Sequence, residues 1–514
     1  MEGPLKSEHS PLKLALLLGS SWAVNALDFF GTQVCLPLMQ EYYDVPESSI
    51  QWIQIIYSLT ISAISVVAGK LGDRLGGDRV FKWGLFLVGL FNLMQFWAPS
   101  FTIRIVVRVC VSIVYGTCAA NAAPNFYRLS APDMLPVCLA YNSLMGTATM
   151  VIAPMLSGWI SGMATDPENP TWPYVYLVVS VIAFLWWIAN VIYLPATERV
   201  AEGSFDGLGG LMFTVCIASL VFGLAAIPMD NVKTIYSVLS ILVCAVCLPL
   251  LFRHEARHPA PIIPTRLMAH KKAKNALLAA AFFMISVNSI MFFFPYIFEW
   301  VFQLDVGTTG LYMAITPVGM AVAAVLVAKV MEKVAAMPVM LGGMLGVTLA
   351  FAPITLALWP VHSLAMFVTA LVCMSAFAGA YGVTNQANLI ASMPSMYAGV
   401  VGALLIALNQ AGKSTGIAAA VLLQKLYITR ISGWEGPIPS GAPTPEYLPY
   451  YTDSTAFVAC CAVGFALVAI ALIPGIGYSE NDRGKKYCKE HLVETVTCEA
   501  SISEESRLLT AEEV

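Results

Sequence analysis

Charge is scarce in this sequence. Asp, Glu, Lys and Arg make up 11% of its 514 residues, against about 25% in an ordinary soluble domain. A soluble chain of this length must cover its surface with polar groups, so most of this one faces something other than water. Histidine is rarer still, with six residues, and His254, His258 and His270 are spread through one basic stretch. An enzyme embedded in a membrane needs His or carboxylates gathered at one face, and their dispersal here argues against enzymatic chemistry. Of the 12 cysteines, most lie in apolar runs, as Cys35, Cys110, Cys216 and Cys373 do; Cys244 and Cys247 have CxxC spacing without a further Cys or His beside them. They read as small, polarisable core residues, and no metal, cofactor or nucleic-acid partner is expected. No Asn-x-Ser/Thr sequon occurs, since Asn169 is followed by Pro170, which removes glycosylation as a topological marker. The short charged N-terminus has no small-residue cleavage site, so the first apolar segment reads as a retained span.

What the sequence has in abundance is apolar length. Hydrophobic residues reach 58% and mean hydropathy is +0.75. A hydrocarbon core ~30 Å thick takes about 20 apolar residues at helical rise. Fourteen segments qualify: 14–38, 50–69, 80–99, 101–124, 137–161, 173–195, 207–228, 234–252, 275–300, 308–328, 337–359, 362–385, 398–424 and 453–474. With the N-terminus in the cytoplasm, 21 of the 27 Lys and Arg residues fall on that side and three (Lys233, Lys425 and Arg430) on the other. Arg104, Arg108 and Lys413 fall inside spans. That bias supports both the even span count and the orientation, because a missed span would scramble the alternation from that point on.

A weak repeat runs through the chain. Gly69-Lys70-Leu71-Gly72-Asp73-Arg74 follows the second apolar segment, and Ala328-Lys329-Val330-Met331-Glu332-Lys333 follows the tenth. Acid then base falls at the same offset after an apolar helix, the mark of a chain built from repeated halves. In the first copy Gly69, Asp73, Arg74, Gly76 and Arg79 form a loop whose glycines allow a tight helix-to-helix turn.

This loop resembles the signature between the second and third helices of the major facilitator superfamily. Further pieces resemble the fourteen-span drug:proton antiporter family within it. They are Ala26-Leu27-Asp28 with Leu36-Pro37, Gln51-Trp52 with Tyr57, Ala153-Pro154 with Ser157-Gly158, Phe205-Asp206 with Gly209-Gly210, His258-Pro259 with Pro264 and Arg266-Leu267, and Gln410 with Gly412 and Gly416. The resemblance spans about 12–425. It implies an all-α integral membrane fold of 14 transmembrane helices: two six-helix bundles at 14–195 and 275–477, with two additional helices and a basic cytoplasmic loop at 196–274 between them. Residues 1–13 and the acidic, disordered tail 478–514 would both be cytoplasmic. In the fifth helix the resemblance makes Gly146, Pro154 and Gly158 the antiporter motif. The family's fourth-helix motif carries an Arg four residues before a Gly; here Ser112 holds that offset before Gly116, and the nearest arginine is Arg108, one turn earlier. Arg108 stands in by reaching along the helix, or coupling differs.

An ionisable group in hydrocarbon is expensive unless it meets a cavity or a partner, which makes it a functional candidate. Asp28 lies deep in the first segment, between Asn25 and Gln33. It reads as a proton-coupling carboxylate with Arg108 as partner; the alternative is a permanent ion pair that fixes helix packing. Glu299 sits near a span end and Lys413 mid-span, where snorkelling, pairing with a carboxylate and binding an anionic substrate all remain open. Tyr115, Asn121, Asn288, Asn409 and Gln410 complete the candidate substrate cavity with Asn25 and Gln33, although interhelical hydrogen bonding accounts for them equally well. The expectation is a monomeric secondary transporter in the lipid bilayer, exporting a small organic molecule by proton-coupled alternating access. The alternative is an importer of a nutrient or metal chelate. The plasma membrane is the expected address. Glu504-Glu505-Ser506-Arg507-Leu508-Leu509 fits an acidic dileucine sorting signal, which would favour a vacuolar or endosomal membrane.

Overall fold

Apolar segments in lipid must satisfy their backbone N–H and C=O groups internally, which favours helices. Every described element of the computed structural model is helical. It describes residues 11–130, 134–164, 169–197, 206–227, 233–258, 271–331, 334–391, 398–434, 436, 439 and 441–476. The expected disordered tail, most of the basic loop, Glu332-Lys333 and the dileucine segment lie outside the described residues.

The long helices, in chain order, are α1 (Pro11–Val34), α2 (Trp52–Leu75), α3 (Gly77–Phe96), α4 (Phe101–Leu129), α5 (Leu135–Ser161), α6 (Tyr174–Tyr193), α7 (Gly207–Ala226), α8 (Thr234–Glu255) and α9 (Lys271–Met291). They continue with α10 (Val306–Met313 and then Ile315–Val330), α11 (Ala336–Leu358), α12 (Leu364–Ala391), α13 (Ala398–Arg430) and α14 (Leu448–Leu472). Short helices at Leu36–Tyr43 and Glu47–Ile50 link α1 to α2. Among the described residues, 11 helical segments are long and apolar enough to cross a membrane. The expected count of 14 is not reached by that measure. Helices α2, α3 and α13 are of similar length but carry buried polar side chains, among them Gln54, Ser58 and Ser62 on α2, Asn92 and Gln95 on α3, and Gln410 on α13.

Prolines interrupt two helices in the second half, and the physical reason is local. Proline has no N–H and crowds the carbonyl four residues earlier. Pro317 therefore ends the Val306–Met313 piece of α10, and Pro295 ends α9 at Met291. After Pro295 the backbone runs through Phe294–Tyr296 into a π-helical turn, Ile297–Val301, a form that recurs at functional sites.

The halves repeat one packing pattern. Helix α1 packs on α5 and α6, α2 on α4, and α3 on α4 and α6. Eight helices later, α9 packs on α13 and α14, α10 on α12, and α11 on α12 and α14. The halves meet along two seams, α2 against α13 and α5 against α10. The remaining pair, α7 and α8, packs on itself and reaches the rest mainly through α2 and α13.

Candidate functional site

The expected loop at 69–79 is mostly helical: α2 runs on to Leu75 and α3 starts at Gly77, so the turn is the single residue Gly76 and glycine shapes it. Gly76 has φ +99°, a conformation that costs other residues strain. A Cβ at Gly72 would overlap the Asn121 amide of α4, and one at Gly77 would overlap Asn125. Asn121 itself donates to the Ala68 and Thr117 carbonyl oxygens at 3.1 and 2.8 Å, so it sits against this loop. The side chains of Gly69 and Asp73 lie outside the described residues. Arg74 and Arg79 are exposed. The buried acid of this turn is Asp78, which sequence reasoning passed over. Its Oδ1 accepts from the Thr197 amide at 3.0 Å and the Thr197 hydroxyl at 2.9 Å, tying the start of α3 to the segment after α6.

Deeper in, α1, α2 and α4 bring one ion pair together. Arg108 Nη1 lies 2.5 Å from Asp28 Oδ1, and both side chains are almost completely buried (1% and 0% exposed). The Arg108 guanidinium lies 4.2 Å from the Tyr57 ring centroid, a cation–π contact. The Thr32 hydroxyl donates to Asp28 Oδ1 at 3.3 Å and meets the Tyr176 hydroxyl at 3.1 Å. Asp28 Oδ2 and Arg108 Nη2 have no hydrogen-bond partner among the described residues. Arg–carboxylate pairs are frequently bidentate; this one is single-bonded, with a carboxylate oxygen left open. Ser112, at the offset where an Arg was expected, donates to the Arg108 carbonyl oxygen at 2.6 Å.

The other candidates distribute around this pair. Asn25 donates to the Tyr57 hydroxyl at 2.8 Å, and Tyr115 donates to the Val24 carbonyl oxygen at 3.1 Å. Arg104 is occupied by Gln95 (3.0 and 2.9 Å) and by the Tyr43 hydroxyl (2.9 Å) and lies over the Trp172 ring. Gln33 crosses between the halves and donates to the Met291 carbonyl oxygen at 2.6 Å, the very carbonyl that Pro295 deprives of its helical partner. Asn288 is spent on the Met284 carbonyl oxygen of its own helix at 2.9 Å. On α13, Asn409 Oδ1 and Gln410 Oε1 have no hydrogen-bond partner among the described residues, and Lys413 Nζ lies 4.8 Å from the Phe29 ring centroid. Glu299 falls in the π-helical turn, with Oε1 buried and without such a partner.

Small residues let the α5–α10 seam close. A Cβ at Gly158 would stand 2.8 Å from the Val306 carbonyl oxygen and 3.0 Å from the Gly310 Cα, and one at Gly310 would overlap the Pro154 carbonyl oxygen. Pro154 and Gly158, four apart, thus face Val306 and Gly310, also four apart, in a small-residue crossing. Gly146 has a different neighbour: a Cβ there would overlap the Trp22 ring of α1.

Two clusters carry no sequence signal because their members are remote in the chain. Asp206 caps α7, accepting from the Gly209 amide at 2.7 Å, and gathers His254 at 2.9 Å and His258 at 3.7 Å. At the end of the molecule near Glu299, Glu47 of the short helix Glu47–Ile50 accepts from the Tyr451 hydroxyl of α14 at 3.2 Å. Desolvation outweighs that bond and pushes the Glu47 carboxyl up to about 8 from its ordinary 4.5. This packed arrangement therefore holds a proton to higher pH than an opened one does. Its stability is fullest at acid pH and declines as pH climbs from about 4.5 through about 8. Hydrogen exchange of 47–50 and 447–451, corrected for intrinsic rates, should speed up across that window in the wild type and stay flat in Glu47→Gln. An equal acceleration in the variant would remove Glu47 from the explanation.

Residues 18–417 match the Major Facilitator Superfamily, and the chain belongs to that family. That family is one of membrane transporters, and the described helices are those of a multi-pass membrane protein. It is 23% identical over 277 residues to the lincomycin resistance protein of Streptomyces lincolnensis, covering 51% of this chain and 55% of that one. It is 22% identical over 426 residues to the multidrug efflux pump LfrA of Mycolicibacterium smegmatis, covering 82% and 81%. The aligned part thus spans little more than half of the first relative and most of the second. A bacterial homologue of the human lysosomal transporter Spinster, in an inward-facing and unoccupied conformation, superposes with a TM-score of 0.68 at 16% identity, over 93% of this chain and 99% of that one.

Proposed function

We propose that the protein is a proton-coupled antiporter that exports a small organic molecule by alternating access. The observation that carries this reading is the buried, single-bonded Asp28–Arg108 pair. A charge pair out of water recovers its desolvation cost only with good geometry and satisfied remaining valences. Here the open Asp28 oxygen is a place for a proton. Protonation neutralises the carboxylate and frees Arg108 to its contacts with the Tyr57 ring and the Ile53 carbonyl oxygen. The net charge at the core then rises by one, the kind of local change that biases a two-state fold. Efflux is the direction of the relatives whose names describe resistance and drug efflux.

The reading includes fourteen spans, with α2, α3 and α13 crossing alongside the eleven more apolar segments. The repeated pairings support two six-helix bundles, α1–α6 and α9–α14, with α7 and α8 added. The Lys and Arg bias places both termini in the cytoplasm, and the plasma membrane remains the proposed address. Because α5 and α10 touch chiefly through Val306–Met313, at the end away from the N-terminus, the state described is closed on the outside. Proteoliposomes with an imposed proton gradient, screened over a compound panel, should accumulate substrate against its own gradient, and a protonophore should collapse it. Accumulation that survives the protonophore would end the proton-coupled reading. Labelling of Thr444→Cys by an impermeant maleimide from the cytoplasmic side alone would overturn the orientation.

A further inference from the structure

Lys413 is the charge at the centre of the molecule that the ion pair does not explain. It lies in the interior of α13, within Ala398–Arg430. Its ammonium rests 4.8 Å from the centroid of Phe29, the residue after Asp28 on α1. Phe29 in turn lies 5.7 Å from the Tyr57 ring, centroid to centroid, and Tyr57 carries Arg108 on its face at 4.2 Å. Two cations, one from each half of the molecule, thus flank a wall of two aromatic rings that both belong to the first half. Only Arg108 has a carboxylate: Asp28 is committed to it, and among the described residues no acid pairs with Lys413. With Asp28 ionised, the three groups sum to one positive charge.

An uncompensated ammonium inside a membrane protein costs several kcal/mol unless a partner or water meets it. Structural lysines near span ends escape by reaching the interface, but this one is directed onto an aromatic ring of the opposite half. Its helical neighbours point to a ligand. Asn409 and Gln410 stand four and three residues earlier, the spacing that shares a helix face, and both hold an amide oxygen without a hydrogen-bond partner. The face therefore offers one positive charge, two open amide acceptors and an adjoining aromatic ring.

We infer that Lys413 is the anchor for the anionic group of the transported molecule, so that the substrate class is an organic anion, a carboxylate on an aromatic or apolar body. This rests on the transporter reading above and adds the sign of the cargo's charge. The ammonium pairs with the carboxylate, the open amide oxygens of Asn409 and Gln410 accept from donor groups elsewhere on the molecule, and Phe29 packs against the apolar body. Because Lys413 and Phe29 come from opposite halves, an anion held there senses the movement of one half against the other.

The test uses the full chain, purified in detergent, with 2-naphthoate as the anionic probe and 2-naphthylmethylammonium as its cationic counterpart, read by titration calorimetry. Wild type should bind the naphthoate more tightly than the ammonium. Lys413→Met should weaken naphthoate binding about tenfold or more, the scale of a lost charge-assisted hydrogen bond, while ammonium binding holds or improves. Lys413→Arg should keep most of the naphthoate affinity, and it serves as the discriminating variant if the methionine form is poorly folded. Preference of the wild type for the ammonium, or naphthoate binding indifferent to Lys413→Met, overturns the inference. Gradient-driven uptake in vesicles separates it from the reading beneath. Uptake confined to cationic probes leaves the antiporter standing and sinks the anion site. Lys413-dependent naphthoate binding without any proton-driven uptake does the reverse.

Discussion

Asp28→Asn is expected to abolish accumulation against a gradient while a neutral substrate still equilibrates passively. The amide matches the protonated carboxyl in volume and cannot ionise, so the site is held in one of the two states that coupling needs. The loss should be large. Accumulation should fall to the passive ratio, because a site fixed in one charge state gives the proton gradient no differential hold on the two conformations. The open Asp28 oxygen and the open Arg108 nitrogen show where the geometry leaves room for exchange. A purely structural pair makes a different forecast. Asp28→Asn would then lower the yield of folded protein, and Asp28→Asn with Arg108→Gln would restore both yield and transport, because the uncompensated guanidinium is gone. In the coupling reading the double variant restores yield alone. Asp28→Glu should keep part of the activity with a displaced pH optimum. A well-folded Asp28→Asn protein that still concentrates substrate at the expense of a proton gradient would transfer the role elsewhere, with Glu299 next to be tried.

Much of the fold is legible in the sequence because the bilayer is a simple solvent. Apolar stretches of about twenty residues separated by short basic loops give the membrane class, and the Gly69 to Arg79 motif carries the resemblance to the family. The site is legible only in part, for a physical reason. Burial depth can be read from a single segment, so Asp28, Arg108 and Lys413 stand out as charges where hydrocarbon is expected. Partnership cannot. Nothing along the chain says that Pro295 frees the Met291 carbonyl for Gln33, 258 residues away. Glu47 meets Tyr451 across 404 residues, and His254 and His258, which look dispersed in a basic stretch, converge on Asp206. Polarity sets α2, α3 and α13 apart from the eleven more apolar segments, and Gln410 and Lys413 are among the residues that make α13 less apolar. The Arg at an unexpected offset is a question of rotation along one helix: Arg108 reaches Asp28 from a turn earlier, and Ser112 settles on the Arg108 carbonyl.

Gly310→Val should trap the transporter with its α5–α10 seam open and cut turnover by about one to two decades. At Gly310 the first atoms a Cβ meets are backbone, the Pro154 carbonyl and the Gly158 Cα, and backbone cannot rotate aside as a side chain can. Valine adds two further methyl groups, and forcing bulk into a closed interface costs typically 1–3 kcal/mol. That cost falls on the closed state alone, because in the open state the two helices have separated. A differential of this size shifts a two-state equilibrium by a factor of about five to about 160. Each cycle must pass through closure, so the rate falls with the population of the closed state. Cys35 offers a direct readout, since it is fully buried with its sulfur 3.3 Å from the Ser161 hydroxyl at the end of α5. In a background with the other cysteines replaced, Gly310→Val should raise labelling of Cys35 by an impermeant maleimide from the outer side. Gly342→Val on α11 is the control, because among the described residues nothing beyond its own helix lies within 4 Å of a Cβ there; it should leave both labelling and turnover near the wild-type values. Normal turnover and a protected Cys35 in Gly310→Val would mean that this seam does not open during transport, and that access to the Asp28 pair is switched along α2 and α13 instead.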